Sequence, residues 1–254
     1  MAARAARPGG GDGSPQDWFY SLGPVTRCLL VGSLGSTLGC SMGVLNPMSL
    51  GLFWDPLLKK FEVWRLASNF VFFGEPSFNF LISVYMLVQY SSKYEASPFN
   101  TGGGGSSSDF AWMLCVCATI LSGLGFVFGL AFLAPSLSFC ILYVWCRKNP
   151  DESVSLFGFK MQALYLPWAL MAFYMLIGNG IFLQFIGVVA GHAFYFAHYI
   201  APGAYGYTVI KTPVFLIEAF GGAMPRPPPG RQAPPPPRPY AGHGWGTGNV
   251  LGAN

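Results

Sequence analysis

Six apolar stretches crowd the chain between residues 26 and 200, at roughly 26–46, 78–92, 110–130, 131–146, 162–178 and 181–200, and they decide what it can fold into. Charged residues make up only 9% of the sequence and hydrophobic ones 52%. An ordinary globular domain is about one quarter charged. Water is the wrong solvent for such a chain, and the stretches read as transmembrane helices. The expected architecture is an all-α polytopic membrane protein built as a six-helix bundle. Several stretches fall short of the ~20 residues that cross a hydrocarbon core of ~30 Å, which a locally thinned bilayer accommodates. Gly129 and Pro135 place a tight turn between the third and fourth, and Asn179 and Gly180 separate the fifth from the sixth.

Around this membrane domain, residues 25–215, lie an N-terminal segment, 1–24, and a tail, 216–254. Arg4 and Arg7 stand among Gly, Pro and Ala without an apolar core, so the N-terminal segment does not read as a cleaved signal peptide. The first span is expected to serve as the targeting signal. With both termini on one side of the membrane, eleven of the fourteen basic residues fall on that side. Only Lys59, Lys60 and Arg65 fall opposite. An excess of Lys and Arg marks the cytoplasmic face, so cytosolic termini and an even number of spans are expected. Residues 47–77 mix Trp54, Phe61 and Trp64 with Asp55, Lys59, Lys60, Glu62 and Arg65. This segment is too charged to span and too apolar to be dissolved. It is expected to lie in the far interface as an amphipathic element, its basic side chains snorkelling to head groups.

The six cysteines all fall in or beside apolar segments and read as small membrane residues rather than a disulfide or metal framework. No cofactor is expected, and no basic stripe interleaved with aromatics suggests nucleic acid. Beyond Gly221 the chain is proline-rich and favours polyproline II, a disordered spacer rather than a core. About twenty such residues at ~3.1 Å each reach on the order of 60 Å.

Motifs in a fixed order run through most of the chain. Asp17-Trp18-Phe19-Tyr20-Ser21 and Pro24-Val25-Thr26-Arg27 open it, followed by Glu62-Val63-Trp64-Arg65 and Gln89-Tyr90-Ser91-Ser92-Lys93-Tyr94-Glu95. Tyr143-Val144-Trp145, Tyr165-Leu166-Pro167-Trp168 and the run from Gly187 to His192 complete the set. Together they resemble the Derlin family, a branch of the rhomboid superfamily, over about residues 15–215. Active rhomboid proteases carry a Gly-x-Ser-Gly nucleophile at the start of the fourth span and a histidine base on the sixth. Aligned on Tyr143-Val144-Trp145, the nucleophile position falls on Ala134, which has no oxygen to attack with. Ser136 and Ser138 lie two and four residues along the helix, displaced by ~3 to 6 Å, out of hydrogen-bond reach of a base placed for Ala134. His192 is expected where the rhomboid histidine lies, and its structural reading is a hydrogen bond to another helix. The resemblance therefore implies a non-catalytic pseudoprotease. The alternative is an active intramembrane serine protease using Ser136 or Ser138 with His192. A transporter ranks behind both, because intramembrane acids and bases are scarce.

Gly187 and Gly191 have the small-xxx-small spacing of closely approaching helices, either within the fold or between copies. Trp64 and Arg65 read either as an interfacial aromatic beside a phosphate-binding cation or, through the resemblance, as a fold-stabilising loop motif that matters for clients. At the C-terminus, residues 243–252 resemble an SHP box, the linear motif by which cofactors dock on the valosin-containing-protein type of AAA ATPase. Trp245 and Leu251 would be its pocket anchors, and Gly246 and Gly248 would let the backbone lie close to the partner. The resemblance implies a place in endoplasmic-reticulum-associated degradation: a multi-pass protein of that membrane that passes misfolded lumenal or membrane proteins to the ATPase. It implies a ubiquitin ligase complex among the partners, and homo- or hetero-oligomers stay open.

Overall fold

The computed structural model describes residues 15–156, 158–201 and 210–220, all within one unit, Met1–Met224. The described chain is mainly helical. A short α1 (Pro15–Ser21) leads into α2 (Pro24–Ser41), and residues 47–77 hold three short helices, α3 (Pro47–Leu50), α4 (Trp54–Lys60) and α5 (Arg65–Ser68). Then come α6 (Phe78–Ala96), α7 (Ser107–Phe128) and α8 (Ala134–Lys148). A β-hairpin of β1 (Ser153–Leu156) and β2 (Phe159–Gln162) precedes α9 (Leu166–Leu176) and α10 (Phe182–Tyr195). The latter continues as a π-turn, Phe196–Ile200, and α11 (Val214–Ala219) closes the described part.

Local chemistry sets these boundaries. Proline occupies the first turn of α2, α3, α8 and α9, where its missing N–H costs no hydrogen bond. Ser77 caps α6 by accepting from Phe80 N at 3.2 Å. Gly129, at φ 65°, ends α7 in the left-handed conformation that a residue with a Cβ resists. A less local cap holds α2. The buried Glu95 carboxylate, at the far end of α6, accepts from Val25 N at 3.0 Å, Thr26 N at 2.9 Å and Thr26 Oγ1 at 2.6 Å. A carboxylate at a helix N-terminus meets unpaired N–H groups and the positive end of the dipole together.

Two helical stretches, Ser107–Phe128 and Phe182–Ile200, are long and apolar enough to cross a membrane, and Ala163–Leu176 is a shorter apolar one. The other three expected spans coincide with helices that are more polar or shorter, and α8 shows why. Every residue of α8 from Ser136 to Cys146 is buried, so it is enclosed by protein and need not be as apolar as a lipid-facing helix. The fifth apolar stretch, expected over 162–178, begins as strand and 3₁₀ turn and becomes α-helix only at Leu166, ahead of Pro167.

The connections sort to two ends. At one, Lys148 donates to Ser97 O and to Pro98 O, the latter at 2.9 Å, and Thr212 N donates to Thr101 O at 2.8 Å. Burial holds the Lys148 ammonium below the usual lysine range. At this end the buried Asp109 carboxylate collects Thr101 Oγ1, Gly103 N, Gly105 N and Thr212 Oγ1, which ties the segment before α11 to the glycine-rich loop before α7. At the other end, Leu52 N donates to Ala131 O at 2.7 Å and Leu133 N to Asn69 O at 3.1 Å. Residues 47–77 are thereby fastened to the short turn that leads into α8.

Candidate functional site

Helix α8 is packed most closely by α10, and the two run parallel in one register. Ser136 Oγ donates to Leu183 O at 2.7 Å, and seven residues on Tyr143 Oη meets His192 Nδ1 at 2.8 Å. Between these bonds lie Gly187 and Gly191. A Cβ on Gly187 would overlap Ser136 O and stand 2.9 Å from its carbonyl carbon, and one on Gly191 would stand 3.0 Å from Cys140 O. Both glycines face the backbone of α8 within the same chain.

This register corrects the expected place of His192 on α10, while its bond to Tyr143 is the hydrogen bond to another helix expected of its structural reading. The part of α10 that faces the start of α8 is the turn from Leu183 to Gly187, and Gln184 there is buried with an unpartnered Oε1. His192 lies eight residues beyond Gln184, ~12 Å along a helix rising 1.5 Å per residue. It sits beside Tyr143, not beside Ala134, which is fully buried. Ser136 and Ser138 precede Tyr143 by seven and five residues, ~10 and ~8 Å. The hydroxyl of Ser136 is already committed to Leu183 O. The structure thus does not bring either serine and His192 together as nucleophile and base, which need direct hydrogen-bond contact.

What His192 does join is a chain of polar groups. Arg147 Nε donates to Tyr143 Oη at 2.9 Å. An arginine only donates, so Tyr143 Oη accepts and its own proton is free for His192 Nδ1. Where Tyr143 gives that proton to Nδ1, the ring N–H that faces away from Tyr143 is the one on Nε2. From sequence, Tyr143 figured only in the Tyr143-Val144-Trp145 motif and Arg147 only among the basic residues, although their i,i+4 spacing places them on one helix face.

The second constellation is in residues 47–77. Arg65 is only 7% exposed. Its Nε meets Glu62 Oε2 at 2.6 Å, and Nη1 donates to Met48 O at 2.6 Å and Gly51 O at 2.8 Å. Its guanidinium lies 5.8 Å from the centre of the Phe53 ring. The expectation that the basic residues here snorkel to head groups is therefore corrected for Arg65, which turns inward and binds α3 to α5. Two carbonyls and one carboxylate take three of its five N–H donors. Lys59 does lie on the surface, paired with Asp55 at 2.7 Å, and Trp64 is 56% exposed.

Among the described residues no three His, Cys, Asp or Glu side chains are grouped to hold a metal ion. All six cysteines are free, and Cys117, Cys140 and Cys146 are buried. Trp245, Gly246, Gly248 and Leu251 lie outside the described residues.

Comparison with known proteins places these features in a lineage. The model of the Der1-like family matches residues 22–214. Derlin-2.1 of Arabidopsis thaliana is 33% identical over 217 residues, covering 81% of this chain and 87% of its own length. Derlin-1 of the same plant is 34% identical over 206 residues, covering 80% and 76%. A probable derlin-2 homolog of Dictyostelium discoideum is 33% identical over 215 residues, covering 82% and 83%.

Proposed function

The chain belongs to the Der1-like family, and from that membership we propose that it is a non-catalytic component of endoplasmic-reticulum-associated degradation. In this reading it is a multi-pass protein of the endoplasmic reticulum membrane with both termini in the cytosol. It helps misfolded lumenal or membrane proteins cross to a valosin-containing-protein-type AAA ATPase and the proteasome, in company with a ubiquitin ligase complex.

The observation that carries the reading is the family match over 22–214, which spans all of α2 to α10. The register of α8 and α10 supports the non-catalytic part, since it pairs Ser136 with a backbone carbonyl and His192 with Tyr143. Polar client segments cost several kcal/mol each in the bilayer centre. A protein with short helices and an amphipathic collar lowers that barrier by thinning the lipid around it rather than by breaking bonds.

The tail supplies the link to the ATPase through Trp245, Gly246, Gly248 and Leu251. Full-length protein purified in mild detergent is expected to bring the ATPase with it, and Trp245→Ala or a chain ending at Tyr240 to lose it. Equal recovery with all three would remove the tail from the mechanism. A fluorophosphonate probe is expected to label neither Ser136 nor Ser138. Labelling abolished by either Ser→Ala change would reinstate the protease.

A further inference from the structure

At the end of α8 stands a cation without a carboxylate. Arg147 is held by its Nε bond to Tyr143 and lies against two rings, 5.4 Å from the centre of Tyr143 and 5.9 Å from that of Tyr195. Its Nη atoms have no hydrogen-bond partner among the described residues, and no acid there pairs with it. The nearby cations are engaged elsewhere. Lys148 donates to Ser97 and Pro98, and Lys93 faces Glu152 at 3.5 Å.

A surface cleft opens on each side of Arg147. One, of about 320 Å³, lies between α8, α9 and α10 and is lined by Tyr143, Trp168, Val188, Val189 and His192. The other, of about 270 Å³, is lined by Phe99, Lys148, Pro150, Tyr195 and Tyr199. The first joins an apolar wall to two nitrogen-bearing side chains, the Arg147 guanidinium and the His192 ring. An arginine fork fits phosphate oxygens two at a time, and Trp and Tyr favour the level of membrane head groups.

We infer that Arg147 and the cleft between α8, α9 and α10 hold the phosphate of an anionic membrane lipid, with His192 as a second donor and Val188 and Val189 against the glycerol and upper acyl chain. The inference rests on the orientation proposed above, which sets this end of α8 at the cytosolic head-group layer, where anionic lipids attract basic pockets between helices. Such a ligand would give a partner to the guanidinium that Tyr143 fixes at the mouth of the half-buried Tyr143–His192 pair.

The test uses the full-length protein in detergent micelles, titrated with dioctanoyl phosphatidic acid and read by native mass spectrometry. Dioctanoyl phosphatidylcholine and inorganic phosphate form the other arms. Phosphatidic acid is expected to bind saturably and about tenfold more tightly than phosphatidylcholine, and Arg147→Gln to lose about tenfold. Arg147→Lys keeps the charge but not the fork and falls between. Should Arg147→Gln unfold, Val189→Trp fills the cleft from the exposed face of α10, leaves the Tyr143 network in place, and is expected to lose the lipid as well. Equal binding of the two lipids, or undiminished binding by the folded variants, overturns the assignment. Displacement of the lipid by an equal concentration of inorganic phosphate overturns it in favour of a free anion. The titration uses neither the tail nor the ATPase, so its failure and that of the degradation reading are separate results.

Discussion

Two buried charges, Arg65 and Glu95, show how a single residue fixes non-local structure here; the resemblance marked Arg65 as one reading of a fold-stabilising motif, but the partners of neither residue are legible from sequence. Each looks like one more charge at a membrane boundary. What matters is the set of backbone groups that the fold brings to it, and those groups carry no side-chain signature. Arg65→Ala would strand Glu62 and the carbonyls of Met48 and Gly51, a loss of about 3 kcal/mol. It should appear as a lowered midpoint in thermal unfolding of the detergent-solubilised protein. Arg65→Lys is expected to recover only part, because an ammonium does not reproduce the planar fork. Glu95→Gln keeps the size but weakens three bonds to the start of α2, and is expected to cost about 1 to 3 kcal/mol. Hydrogen exchange should report it first at Val25 and Thr26. The displaced His192 teaches the same lesson. Counting along α10 places a histidine on the right helix, but which turn faces Ala134 depends on the register with α8, set by the glycine contacts.

Among the elements, the helices were legible because apolar runs are long-range averages that survive errors at their edges. The hairpin Ser153–Leu156 and Phe159–Gln162 was not. Its strands are four residues each, too short for alternation to stand out, and the second merges into the apolar approach to α9. The three short helices within 47–77 were likewise read as one amphipathic element, since their packing depends on Arg65 and Asn69 rather than on periodicity. The parallel pair α8 and α10 makes a graded prediction. Gly187→Ala forces a methyl into the Ser136 carbonyl, whereas Gly191→Ala leaves 3.0 Å to Cys140 O. Overpacking of this kind costs about 1 to 3 kcal/mol, and Gly187→Ala is expected to be the more damaging in a thermal-shift comparison. Equal and negligible shifts would mean that the helices separate easily and that the register is soft.

For the whole molecule, the two ends defined by loop contacts predict topology. Glycan acceptor sequons inserted singly after Leu45 or after Gly129 are expected to be modified in microsomes. A sequon inserted after Gly104 is expected to stay unmodified, because Thr101 and Thr212 lie together at the opposite end. Modification of the last alone would invert the orientation, and with it the leaflet assigned to Arg147. The bonds of Asp109 and Thr101 to Thr212 acquire a further meaning when the chain is loaded mechanically. A pull applied beyond residue 220 travels back through α11 and reaches Thr212 before it reaches α10. Two hydrogen bonds at Thr212, from its N to Thr101 O and from its Oγ1 to Asp109, then take the tension in parallel, and the second anchors it to α7. A motor gripping the tail would strain this rivet first and leave the glycine-locked pair at the centre of the protein unstressed.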